Sequence, residues 1–214
     1  MKIKTFVLGV MQTNCYIVSN DENHCMIIDP GAQGKKVAKY LEENELVLDA
    51  ILLTHGHFDH IGAVDYLYDK YHCPIYIHHE DIEMLTNSRL NLSYLEKPFS
   101  LSAPVTPASE HMEISGFKIC WFHLPGHCPG ASMIYLEDEN VIFSGDVLFN
   151  GSIGRFDFPN SSKYDTLTSI EKIKTFNFDA TLYPGHGPSS TLKSGYQLFC
   201  FLLLDLEFFQ KVHP

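Results

Sequence analysis

Thr54-His55-Gly56-His57-Phe58-Asp59-His60 follows directly on the apolar run Ala50-Ile51-Leu52-Leu53, and from His55 onward it reads H-x-H-x-D-H. Four apolar residues bounded by polar ones read as a short buried strand, so the His/Asp cluster falls where that strand opens into a loop. Imidazole nitrogen and carboxylate oxygen are ligand types for zinc or non-haem iron. Three imidazoles and one carboxylate between positions 55 and 60 exceed the share one ion takes from a single segment, which points to two metals. A loop this short cannot surround two ions, so further ligands are expected at the ends of other strands.

Three later motifs meet that expectation. His127 lies in Leu124-Pro125-Gly126-His127 after the apolar run 119–122, Asp146 in Phe143-Ser144-Gly145-Asp146 after Val141-Ile142, and His186 in Tyr183-Pro184-Gly185-His186. Each is preceded by glycine, which permits a tight turn and a close backbone approach. The order H-x-H-x-D-H, lone His, lone Asp, last His resembles the metallo-β-lactamase fold superfamily over roughly residues 1 to 192. Within it, Gln12-Thr13-Asn14-Cys15-Tyr16, Ile28-Asp29-Pro30-Gly31 and Gly151-Ser152-Ile153-Gly154-Arg155 look most like the small bacterial hydroxyacylglutathione hydrolase-like (glyoxalase II-like) proteins.

That resemblance implies an α+β fold, an αββα sandwich of two mixed β-sheets flanked by helices. It implies that His55, His57 and His127 hold one divalent ion, that Asp59, His60 and His186 hold a second, and that Asp146 bridges them. Zinc is the first choice of metal, and iron or manganese suits the same donors. The implied reaction is attack of a hydroxide shared by the two ions on a thioester carbonyl, with Asp59 as the catalytic group that orients it. No G-x-S-x-G nucleophile elbow is needed or present. A mononuclear-iron persulfide dioxygenase shares these motifs and is one alternative; a lactonase or β-lactamase-type hydrolase is another. A flavodiiron oxygen reductase would carry Glu in place of His57. A non-enzymatic metal-binding scaffold is weighed down by the intact ligand set. Larger glyoxalase II enzymes grip glutathione with a basic C-terminal extension that this chain is expected to lack, which weighs against glutathione as the thiol.

Composition fits one ordinary globular domain over residues 1–214, with 45% hydrophobic and 19% charged residues. A net charge of -11 and only two arginines, Arg89 and Arg155, argue against a nucleic-acid surface and leave a small molecule as the expected partner. Residues 1–10 imitate a signal peptide without a small-residue cleavage site, so a cytoplasmic protein is expected. The six cysteines form no C-x-x-C pair and read as reduced core thiols.

In chain order, strands are predicted at 2–7, 14–19, 24–28, 50–53, 74–77, 111–114, 117–123, 131–136, 141–144 and 179–182. Helices are predicted at 34–44, after His60, at 80–85 and at 163–175, the last burying Leu167, Ile170 and Ile173. Residues 86–107 read as a long surface loop bordering the site. The apolar tail at 195–214 is too short and too interrupted by acids for stable membrane insertion. It reads as a packed or homodimer-forming helix, with a peripheral membrane contact as the alternative.

Among the remaining candidates, His24, His72, His78, His79, His111, His123 and His213 read as ordinary structural histidines, with His78-His79 the pair that could line the cleft. Cys128 directly follows a ligand and reads as a neighbour of the ligand shell. Arg155 is a candidate contact for an anionic substrate, weighed against an ion pair with Asp157 or Asp165.

Overall fold

The strands divide into two six-stranded mixed sheets in a computed structural model that describes residues 1–197. In the first sheet β1 (Lys2–Leu8), β2 (Thr13–Ser19) and β3 (His24–Ile28) run antiparallel. β4 (Val47–Leu53), β5 (Ile75–Ile77) and β6 (Thr106–Pro107) continue it in parallel. The second sheet begins with β7 (His111–Ile114), β8 (Phe117–His123), β9 (Ser132–Leu136) and β10 (Val141–Gly145), all antiparallel. β11 (Thr181–Pro184) lies parallel to β10, and β12 (Ser190–Thr191) closes the edge.

Side chains on a strand alternate between faces, and here each face has its own layer to fill. Tyr16, Val18, Met26, Ile28, Ala50 and Leu52 turn inward against Trp121, Ile134 and Phe143 of the second sheet. Their neighbours Ile17, Ile27, Ile51 and Leu53 turn outward and pack with residues of α1 (Gly34–Glu43) and α3 (Val64–Tyr71). On the far side Met133 and Ile142 meet Ile170 and Ile173 of α5 (Lys163–Lys174). The layers therefore run helix, sheet, sheet, helix, as the resemblance implies. Because β3 and β4 are covered on both faces they read as continuous apolar runs rather than alternating ones.

Several expectations shift in detail. β4 begins at Val47 rather than 50, because Asp49 is satisfied sideways by His24 Nδ1 at 2.9 Å and the Ser115 hydroxyl at 2.7 Å. β11 starts two residues later than expected, since Asp179 stays in the preceding loop and accepts the Ala180 and Lys193 backbone N–H groups. Leu167 is not buried: it is 46% exposed, and Thr166 and Ser169 take the inward positions by donating their hydroxyls to the Ser162 and Pro125 carbonyls. The segment 86–107 is not simply a surface loop. It buries Asn91, Leu92, Ser93 and Leu101, and its Asn91 carbonyl accepts the Phe58 N–H at 2.8 Å. The apolar tail lies outside the described residues from 198 onward, and so does any dimer formed through it. Among the described residues no helix is long and apolar enough to cross a membrane.

After β3 the chain turns through Asp29-Pro30-Gly31 and lies against the start of α2 (Phe58–Ile61). A Cβ on Gly31 would overlap the Asp59 carbonyl, so only glycine allows this approach. Gly31→Ala is expected to push Asp59 and His60 away from their positions and to destabilise the fold by about 1–3 kcal/mol, read by denaturant unfolding.

Candidate metal centre

Every predicted ligand sits just beyond a strand end, along one edge of the seam between the sheets. β4 delivers His55 and His57, and α2 carries Asp59 and His60. His127 lies in the β8–β9 connection, Asp146 follows β10 and His186 follows β11. Backbone contacts tie the two sheets together at this edge. Thr13 bridges to His186, Asn14 N–H donates to the Gly185 carbonyl at 2.7 Å, and Ser132 N–H donates to the Thr54 carbonyl at 3.0 Å. Asn14 Nδ2 donates to the Pro184 and Gly187 carbonyls, each at 2.9 Å, and the Tyr16 hydroxyl donates to Pro184 at 2.6 Å. The Gln12–Tyr16 opening is thus a latch on the His186 loop. A side chain on Gly185 would collide with the Asp146 carboxylate and the His60 ring.

The donor atoms converge in three overlapping groups: His55, His57 and His127; His55, His60 and Asp146; and Asp59, His60 and His186. Asp146 stands between the outer two. Its Oδ2 lies 3.6 Å from His127 Nε2 and 3.5 Å from His186 Nε2, and its Oδ1 lies 3.4 Å from His60 Nε2. Asp59 Oδ2 lies 3.3 Å from His186 Nε2 and 3.6 Å from His60 Nε2. His55, His57 and His60 are almost wholly buried, whereas the His186 side chain is 27% exposed and forms the open side.

Burial and mutual repulsion govern the protonation of this cluster. Burial, together with the neighbouring imidazoles, holds His55 and His57 well below the ordinary histidine range. Burial acts the same way on His60, yet the carboxylates of Asp59, Asp146 and Asp29 outweigh it and push His60 up. On His186 burial is again outweighed, by hydrogen bonds to Asp146 and Asp59, and it rises to about 9. Burial works to raise Asp59, but His60, His186 and Thr13 together bring it down to about 2. Asp146 is likewise held well below the ordinary carboxylate range, against its burial, by His60, His186 and His127, so the two carboxylates stay ionised and draw positive charge onto His60 and His186.

A second ring of residues, absent from the sequence reading as site residues, fixes these ligands. Asp29 Oδ2 accepts His60 Nδ1 at 2.9 Å and the Thr54 hydroxyl at 2.6 Å, which leaves His60 Nε2 facing the other donors. The Thr13 hydroxyl donates to Asp59 at 2.7 Å. His127 Nδ1 donates to the Arg155 carbonyl at 2.8 Å, which turns its Nε2 inward. Asp81, fully buried, accepts the Gly56 N–H at 3.0 Å, the Gly130 N–H and the Cys128 thiol at 2.9 Å. It therefore clasps the loops carrying His55, His57 and His127 to one another. Burial raises its carboxyl, and the three hydrogen bonds hold it back. Asp29 had a legible signal, the Asp-Pro-Gly turn after a strand, and in the structure it takes φ +50 there. Asp81 had none, because its partners are 25 or more residues away.

The other candidates resolve plainly. Arg155 points its guanidinium at Asp157 through two bonds, 2.9 and 2.8 Å, so the ion pair is what forms. Burial beside Asp81 pushes the Cys128 thiol well up, and it serves as a protonated donor. His78, Glu80 and His123 also gather within 4.8 Å. Their two imidazoles are stacked at 3.8 Å and 14°, so their in-plane lone pairs run parallel and do not meet, and His123 Nε2 is already on the Pro129 carbonyl at 2.8 Å. His78 lies apart from the metal-ligand cleft.

A cation suits the main cluster. His55 Nε2, His60 Nε2 and Asp146 Oδ1 are buried without a hydrogen-bond partner, and a buried acceptor or imidazole left so is costly unless an ion meets it; His57 turns its Nδ1 into the same cluster, 2.9 Å from His127 Nε2. Comparison with known proteins agrees with this chemistry. The metallo-β-lactamase superfamily profile matches residues 8–186. The chain is 39% identical over 197 residues to the probable metallo-hydrolase YqgX of Bacillus subtilis, covering 89% of this chain and 92% of that protein. It is 34% identical over 199 residues to the hydroxyacylglutathione hydrolase GloC of Haemophilus influenzae, covering 90% and 93%. The crystal structure of TTHA1623 in a di-iron-bound form superposes with a TM-score of 0.79 at 35% identity, covering 89% of this chain and 96% of that one.

The Asp81 clasp is testable apart from the ligands. Asp81→Asn puts an amide donor against N–H and S–H donors, so it is expected to lower stability by about 1–3 kcal/mol and to reduce bound metal, measured by thermal unfolding and elemental analysis. Cys128→Ser keeps a donor to Asp81 and should retain its metal.

Proposed function

The chain belongs to the metallo-β-lactamase superfamily, and on that premise we propose that it is a dinuclear metallohydrolase acting on thioesters of the hydroxyacylglutathione type. The observation that carries this reading is Asp146, whose two oxygens lie within 3.4–3.6 Å of imidazoles from both outer donor groups. His55, His57 and His127 would hold one ion, and Asp59, His60 and His186 the other, with Asp146 shared. The likeness to GloC supports the substrate class. When bound, the two ions supply Lewis acidity toward a carbonyl and bring the ionisation of water near neutral pH. Zinc suits the donors, and the di-iron form of TTHA1623 makes iron the metal to measure beside it.

The protein's own groups position the reaction. Thr13 fixes one oxygen of the Asp59 carboxylate, so Asp59 is held to orient the attacking water and accept its hydrogen bond. Hydrolysis forms a C–O bond, breaks the C–S bond and releases an acid and a thiol, and the partly exposed His186 marks the side by which they leave. The two sheets supply complementary ligands, so the described residues act as one catalytic domain. Among the described residues, five buried, unpaired thiols fit a reducing compartment such as the cytoplasm.

Protein purified without chelator is expected to contain two ions per chain and to hydrolyse S-lactoylglutathione. Asp146→Ala should lose metal and reduce turnover by ~100-fold or more, since even residues outside the ligand shell change activity by up to that factor. A single iron with no hydrolysis would move the reading to persulfide dioxygenation.

A further inference from the structure

The ligand cluster opens into a cavity of about 330 Å³, within the range of small-molecule sites. Its inner end is formed by the metal-binding side chains, and its walls by Phe58, Leu92, Leu95, Phe149 and Phe158, with Met11 at the lip. The apolar wall reaches the ligands themselves. Phe158 stands edge-on to His57 at 5.4 Å and to His127 at 5.7 Å, and Phe149 faces His186 at 6.0 Å. At the rim Leu95 is 63% exposed, Met11 50% and the adjoining Val10 74%, an apolar patch of the kind that marks a ligand groove.

Charge separates the possible occupants. Glutathione carries two carboxylates, and an anionic arm needs cations to replace its water. Arg155 is the one Lys or Arg in the cavity wall among the described residues, and its guanidinium is doubly bonded to Asp157 and lies over the Phe158 ring at 4.6 Å. The hollow beside Met11 adds Glu96, a further negative group. From these walls we infer that the site takes substrates whose acyl arm is uncharged and apolar, seated on Phe58, Leu92, Leu95 and Phe158, in preference to a hydroxyacyl group on an anionic peptide thiol. This rests on the thioester reading above and, within thioesters, moves the preferred substrate from the hydroxyacylglutathione type to apolar acyl groups.

The test uses the metal-loaded full chain with thioesters of uncharged N-acetylcysteamine, from acetyl through butyryl and hexanoyl to octanoyl, beside S-lactoylglutathione. Burial of methylenes predicts that kcat/KM rises from acetyl to octanoyl by on the order of tenfold or more. Octanoyl should also exceed S-lactoylglutathione. Leu95→Lys, checked for metal content and circular dichroism, should lower the octanoyl-to-S-lactoylglutathione ratio by about tenfold. Rates indifferent to acyl length, or fastest with S-lactoylglutathione, overturn the inference and leave thioester hydrolysis standing. If protein holding two ions turns over no thioester, it is the thioester reading that fails. Binding of the non-hydrolysable octyl and ethyl thioethers of N-acetylcysteamine then decides the apolar seat. Tighter octyl binding that Leu95→Lys weakens supports it, and equal binding overturns it.

Discussion

Two ionised carboxylates and five imidazoles share one buried seam, and the rest of the structure answers to the cost of keeping them there. Asp59 and Asp146 cannot be withdrawn from water unless positive charge comes with them. In the protein alone His60 and His186 supply it, each held above its ordinary pKa by the same two acids. A divalent ion does so with less strain on the imidazoles, because neutral ring nitrogens are already turned toward it. The cluster is thus organised for cations before any cation arrives.

What holds it in that state is a pair of further acids that touch no ligand space themselves. Asp29 and Asp81 each spend their oxygens on hydrogen bonds from the loops that carry the ligands. Charge-assisted bonds of this kind are short and directional, so they fix loop positions more tightly than apolar contacts do. Asp29 orients an imidazole directly, while Asp81 joins loops from the two sheets. The glycines at 31 and 185 complete the arrangement by letting backbone come where a side chain would not fit.

Most of this was legible in the sequence where a local pattern carried it. The run 50–53 and the spacing of 55, 57, 59 and 60 predicted a strand and the His/Asp loop after it, and the strand-end glycines pointed to the three other side chains that the fold brings to the same cluster. The layered α+β architecture came from the resemblance, because periodicity alone does not say which sheet faces which. Side chains that work across long separations were not legible. Asp49 made its predicted strand begin late because its partners on β3 and after β7 were invisible, and Asp81 looked like one more acid in a short helix. Leu167 misled for the opposite reason: helical spacing placed it inward, but hydroxyls bonded to backbone carbonyls compete successfully for that face.

The latch between Thr13 and His186 joins nearly the two ends of the described chain. During synthesis the first four ligands leave the ribosome more than a hundred residues before His186 does, and the strand that steadies the His186 loop waits for it throughout. Contacts of such separation close late. The emerging chain therefore passes through a long interval in which it can offer an ion only a partial set of donors, and a complete set exists only once both sheets have docked.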